Sequence, residues 1–308
     1  MTYKLAILKG DKIAGDVIDN ALNIVKQIVK PEVDFDVITL PFGENAIRLF
    51  GEPLPNQTLR ELKKYDAILI GLLDFDSWDS SLFSAKEALI ALKKFLNIKV
   101  EWKTIKISDK QINDSPLKYD VAKNTDFVIV QGVESFSDLI DGNSVLEDYA
   151  QDIITYEQRE VEQVITAGFE LAMRRQKHVT VVTGFDAFET SKFWASVAER
   201  VSQSYPEVVV KYDLATEITS CILQRPANLD VVIVPRWIDH MVNQEAQQIT
   251  GLPALIPVTM KNSKNQLLYE LPHIHHNLEM LKLMEKELVK FILKEYLNRP
   301  DLLDEIGV

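Results

Sequence analysis

The strongest constraint on this chain's fold is an alternation along its length. Strand-sized apolar runs at residues 4–8, 34–39, 67–71, 99–107, 127–131, 179–183, 208–212 and 231–234 are separated, for the most part, by stretches with a helical apolar period. Residues 158–175 place Val161, Val164, Ile165, Phe169, Ala172 and Met173 on one face, and three carboxylates stand near the positive end of that helix. Residues 191–204 repeat the pattern with Phe193, Trp194, Val197, Ala198 and Val201, and Tyr205-Pro206 stops it. A last long helix is predicted from a cap at Asn277 to about Asn298, where Arg299-Pro300 ends it. Strands alternating with helices predict an α/β fold.

Composition narrows the class further. With 308 residues, 46% of them apolar, the chain is long enough for two α/β lobes or one large one. A formal charge of -12 argues against nucleic acid or an anionic membrane surface as the main partner, because both need clustered Lys and Arg. No apolar run reaches the length of a membrane span. A single cysteine, Cys221, excludes an intrachain disulfide, and the chain begins on a strand pattern without the features of a signal peptide, so a cytoplasmic protein is expected.

The segment DVVIVPRWIDHMVNQEAQQITG, residues 230–251, reads as a buried strand, a turn and a helix on which His240 and Gln244 lie one turn apart. It resembles the metal-binding segment of the isocitrate and isopropylmalate dehydrogenases, the β-decarboxylating dehydrogenase family. The two aspartates of that family's DNLFGDILSDEAA motif fall on His240 and Gln244. The likeness runs along nearly the whole chain. LAILKGDKIAGDVIDNAL is similar to the family's LPGDGIGPEV segment, with Gly10, Asp11, Ile13 and Val17 kept. FGENAIRLFGEPLPNQTLRELKKYDAILIGLLDFDSWD, TYEQREVEQVITAGFELAMRRQKHVTVVTGFDAFETSKFW and QEAQQITGLPALIP follow in the family's order and spacing. The resemblance implies a two-lobed isopropylmalate dehydrogenase-like fold that is dimeric. A cofactor-side lobe would hold residues 1–92 plus 250–308, and a dimerisation lobe would hold 93–249 with an arm near 132–156. Each active site would be built from both subunits.

In such enzymes a divalent metal polarises the substrate oxygen during hydride loss and decarboxylation, while a lysine and a tyrosine handle protons. The resemblance places the lysine on Gly184, the tyrosine on Asp138 and the third metal aspartate on Thr216. Two of the arginines that hold substrate carboxylates become Lys93 and Lys103, and the third becomes Gln131. A glycine moves no proton, and Thr216, His240 and Gln244 remove three negative charges from around a Mg²⁺ or Mn²⁺ ion, which prefers hard oxygen ligands. Losing proton transfer alone costs on the order of 10² to 10⁴ in rate. The family reaction is therefore expected to be lost, with no metal bound in the family's way.

The cofactor loop also departs from the family. YELPHIHHNLE stands where the family has FEPVHGSAPDIAGKGIANP, so His273 matches a histidine of the motif while Ile274, His275 and His276 replace its Gly-rich turn. No cofactor is expected, with NAD or NADP and a divalent metal as the alternative. His240, His273, His275 and His276 could instead hold a transition metal, although HIHH lacks the spacing of a zinc motif. Asp186, Asp239 and Glu217 stand beside the altered catalytic positions, and Asp74, Asp76 and Asp79 surround Trp78; solvated carboxylates are the simplest reading of both groups. Trp194 and Trp237 read as core or interface residues, Cys221 as a small buried hydrophobe, and Arg174, Arg175 and Lys177 as charges answering a helix dipole.

Three functions stay open. One is a non-catalytic homologue with a binding or regulatory role, as a homodimer or with a second protein partner. Another is an NAD(P)-dependent oxidoreductase acting on an altered 2-hydroxy acid around Asp138, Asp186, Asp239 or His240. The last is an enzyme of another reaction type. Lys93, Lys103, Gln131, Asp186 and Asp239 are the candidate cleft residues in each case.

Overall fold

The computed structural model describes residues 2–10, 14–29, 33–71, 85–109, 111–133, 140–145, 150–253, 256–272 and 278–306. The chain divides into two compact units, Met1–Ile98 with Pro257–Val308, and Lys99–Ile256. No described helix is long and apolar enough to cross a membrane.

In the first unit β1 (Thr2–Leu8) pairs in parallel with β2 (Asp34–Leu40) on one side and β3 (Ala67–Ile70) on the other. Next to β3 runs β12 (Leu267–Glu270), also parallel, and it pairs antiparallel with β11 (Val258–Asn262). The α1 helix (Ala14–Val29) connects β1 to β2, α2 (Glu44–Phe50) and α3 (Asn56–Leu62) lead to β3, and α4 (Ala85–Phe95) comes after β3 in the chain. All four residues of β3 and the last four of β1 are buried, as expected for parallel strands covered on both faces. Near the C-terminus, α10 (Leu278–Lys290) continues into a π-helical turn at Phe291–Tyr296.

The second unit orders its strands β4 (Ile98–Lys106, from Lys99 onward), β5 (Asp126–Gly132), β10 (Val231–Ile233), β8 (His178–Gly184) and β9 (Val209–Leu214). β4 and β5, with the short α5 (Tyr119–Ala122) between them in the chain, are antiparallel, whereas β5, β10, β8 and β9 are parallel to one another. A hairpin of β6 (Ile140–Val145) and β7 (Ala150–Ile154) forms a separate sheet. The α6 helix (Gln158–Met173) buries Val161, Val164, Ile165, Gly168, Phe169, Leu171 and Ala172, the face its spacing predicts with Gly168 and Leu171 added and with Met173, at its end, only half-buried. Gly168 lets this helix approach β10 closely, since a β-carbon there would lie 2.4 Å from Cδ1 of Ile233. The α7 helix (Glu189–Ser202) buries Ser191, Trp194, Val197, Ala198 and Val201. Beyond it come α8 (Ala215–Gln224) and α9 (Arg236–Gln248). Cys221 is buried among Ile218, Ile222 and Ile238, in keeping with its reading as a small hydrophobe.

One buried ion pair ties three segments of this unit together. The Arg175 guanidinium donates to Asp230 Oδ1 at 2.8 Å and to both the carboxylate and the carbonyl of Asp126 at 2.8 Å. Asp230 Oδ2 accepts the backbone N–H groups of Gln176 and His178, each at 3.1 Å. Arg175 is thus a buried partner of distant carboxylates, beyond the helix-end charge that its local sequence suggests.

Candidate functional site

Parallel strands bring their carboxyl ends to the same side of a sheet, and in open α/β sheets that side carries the ligand. In the second unit those ends are Gln131 and Gly132 on β5, the turn through Pro235 into α9 after β10, and Gly184 on β8.

A chain of amides crosses this region. Glu101 stands opposite Gln131 in the β4–β5 ladder and accepts its Nε2 at 2.8 Å. Gln131 Oε1 in turn accepts Nδ2 of Asn243, which also donates to the Asp239 carbonyl at 2.9 Å. Both ends of the Gln131 amide are therefore engaged within the protein. Lys103 lies two residues beyond Glu101 on the same face of β4. Burial, followed by the nearby Glu101 charge, raises the Asp239 carboxyl to about 7, against the opposing pull of Arg236, the His240 backbone and Lys103.

The structure thus gathers three of the expected cleft residues, Lys103, Gln131 and Asp239, around Glu101, Asn243 and Arg236, which the sequence reading did not single out. A signal for the additions was present. Glu101 and Lys103 alternate on a strand, and Asp239 and Asn243 lie one helical turn apart. Lys93 belongs to the first unit, where it is half-buried and lies 3.5 Å from Glu270 of β12. Asp186 is exposed on the turn after Gly184.

Gly184 closes β8 with φ at +90°, and a β-carbon on it would lie 2.7 Å from Cζ2 of Trp237 and 3.0 Å from Oγ of Ser191. The Trp237 ring packs against Phe185 and Phe188, with centroids 5.3 Å and 5.6 Å away. Phe185 and Phe188 remain 43% and 45% exposed, so the end of β8 presents an aromatic cluster.

The positions that the resemblance assigns to metal ligands do not form a carboxylate site. Thr216, His240 and Gln244 are all exposed, and none carries the charge that a Mg²⁺ or Mn²⁺ site requires. Among the described residues no cluster of three or more His, Cys, Asp or Glu could hold a metal ion. Glu217 has a structural role, since its carboxylate accepts the Leu214 backbone N–H at 2.8 Å where α8 begins. Asp138, His273, His275, His276 and the Asp74, Asp76 and Asp79 group with Trp78 lie outside the described residues.

Known proteins identify the scaffold. The sequence model described as isocitrate/isopropylmalate dehydrogenase matches residues 4–274. The 3-isopropylmalate dehydrogenase of Listeria monocytogenes serovar 1/2a (strain ATCC BAA-679 / EGD-e) is 29% identical over 274 residues, 89% of this chain and 78% of that protein. That of Streptococcus pneumoniae (strain ATCC BAA-255 / R6) is 30% identical over 275 residues, 89% of this chain and 79% of that protein. Among solved structures, a β-decarboxylating dehydrogenase from Thermococcus kodakarensis is similar at a TM-score of 0.70 and 20% identity, covering 88% of this chain and 75% of that one. An isocitrate dehydrogenase from Methylococcus capsulatus gives a TM-score of 0.72 at 17% identity, covering 99% and 88%. At these identities the two structures share the fold, and with the family's own sequence pattern running through most of its length, this chain belongs to the isocitrate/isopropylmalate dehydrogenase family.

Proposed function

We propose that this chain is a non-catalytic member of its family, a homodimeric scaffold with a binding or regulatory role, alone or with a second protein partner. The observation that carries the reading is Gly184. It stands at the family's lysine position, and the space into which a side chain would grow is filled by the Trp237 ring. Support comes from the engaged Gln131 amide and from the uncharged side chain of Gln244 and the neutral Thr216 at former metal positions. The test is reduction of NAD and NADP by the purified protein with isopropylmalate or isocitrate, in the presence of Mg²⁺ or Mn²⁺. No turnover is expected, and sustained metal-dependent turnover proportional to protein would overturn the reading. Native mass spectrometry on the same sample would read subunit number and any co-purifying partner.

Asp239 favours a second reading, an NAD(P)-dependent oxidoreductase acting on an altered 2-hydroxy acid. A carboxyl raised to about 7 is suited to acid–base work near neutral pH. That reading requires turnover with some 2-hydroxy acid and its abolition in Asp239→Asn.

A further inference from the structure

A partly open pocket of about 380 Å³, mouth included, lies at the carboxyl end of β5 beside the first turn of α9. Its walls include Val133, Val161 and Val164, with Tyr156, Trp194 and Arg236 supplying polar atoms. The enclosed part has room for about two water molecules, which is the scale of a carboxylate group.

Several unconnected features of this pocket share one polarity. Trp194 is only 2% exposed, and its indole N–H, a group that can only donate, meets no hydrogen-bond acceptor among the described residues. The Tyr156 hydroxyl is likewise shut off from solvent; it lies near the backbone of Arg236 and Trp237 but completes no well-formed hydrogen bond. The two rings are neighbours, with centroids 5.6 Å apart. The thirteen-residue α9 begins here with Pro235 at its cap position and no side-chain cap from that residue, so the positive end of its dipole faces this region with only the neutral Tyr156 oxygen near its first backbone N–H groups. Arg236, 6% exposed, adds a fixed positive charge, and Gly132 makes room for it, since a β-carbon there would lie 3.0 Å from Arg236 Cδ. Among the described residues the nearby negative charges include Glu160, 3.4 Å from Lys99 at the pocket wall, Asp239 in the first turn of α9, and Glu101, whose charge reaches Asp239.

We propose that this pocket binds a short-chain monocarboxylate, its carboxylate at the start of α9 against Trp194 Nε1 and the Tyr156 hydroxyl and its aliphatic end against Val133, Val161 and Val164. A helix start and buried donors favour an anion, and the valine walls favour a small apolar tail over a second charge. Entry requires the Tyr156 ring to turn, because both orphan atoms are covered without a ligand. The inference stands whether or not the family reaction survives.

The test is a titration of the full-length protein, labelled with nitrogen-15, with sodium propionate, and with sodium chloride at equal ionic strength. The readout is the indole N–H signals, of which the chain has four, that of Trp194 being assigned by its loss in Trp194→Phe. Propionate is expected to move the Trp194 signal saturably at low-millimolar concentration while chloride leaves it in place. Tyr156→Phe, which keeps the ring and removes one donor to the anion, should weaken binding about tenfold or more. The remaining indole signals report whether that variant is folded. A Trp194 signal that stays still, drifts with either salt without saturating, or saturates equally well in folded Tyr156→Phe overturns the proposal.

Discussion

Cζ2 of Trp237 lies 2.7 Å from the point where a side chain on Gly184 would begin. The backbone of Gly184 is also at φ +90°, which side chains other than glycine's rarely adopt. Placing a lysine here by Gly184→Lys is therefore expected to give no activity and a less stable protein. Gly184→Ala isolates the steric part, and strain plus overpacking should cost about 2–4 kcal/mol in urea unfolding. Trp237→Leu in that background should recover part of the loss, a non-additivity that a double-mutant cycle reads directly. Equal losses with and without the tryptophan would place the cost in the backbone alone.

Asp239 gives stability an unusual pH dependence. Its folded value, about 7, lies above the unfolded carboxylate value of about 3.9, so between them the folded state holds a proton that the unfolded state has released. Its contribution to stability falls as pH rises through that window and reaches its full penalty above about 7. Asp239→Asn, which cannot ionise, should raise the Tm relative to the parent at mildly alkaline pH. The gap should shrink as the solution is acidified toward the unfolded value. A constant gap across the range would show that the effect is not ionisation.

The contact between Gly168 and Ile233 predicts a compensating pair. Gly168→Ala drives a methyl group toward Cδ1 of a fully buried isoleucine and should cost about 1–3 kcal/mol. Ile233→Val removes the terminal carbon and should itself cost about 0.5–1.5 kcal/mol. The double variant should lose less than the two single losses combined, as measured from denaturation midpoints with unchanged slopes.

Much of the fold was legible because its signals are local. All eight apolar runs became strands, and the face predicted for residues 158–175 is the one that α6 buries. What escaped lacks those signals: β6 is IDGNSV, with a glycine and polar residues, and β12 is only LLYE. At the site, Lys103, Gln131 and Asp239 could be named from the resemblance. The binding of the Gln131 amide on both sides depends on Asn243, 112 residues away, and no local pattern carries that distance. Trp237 was readable as a packed aromatic, but the particular space it fills became visible only with the backbone of Gly184 in place.

The tie between Arg175, Asp126 and Asp230 has a consequence in time as well as in equilibrium. Its partners are 49 and 55 residues away from the arginine, so it can form only after β5, the start of β8 and β10 have come together. Asp230→Ala, which leaves the largely buried guanidinium short of a partner, should cost about 3–5 kcal/mol. In stopped-flow measurements nearly all of that cost is expected in faster unfolding, with the folding rate little changed. The aspartate then acts as a late latch, setting how long the second unit stays closed rather than how quickly it assembles.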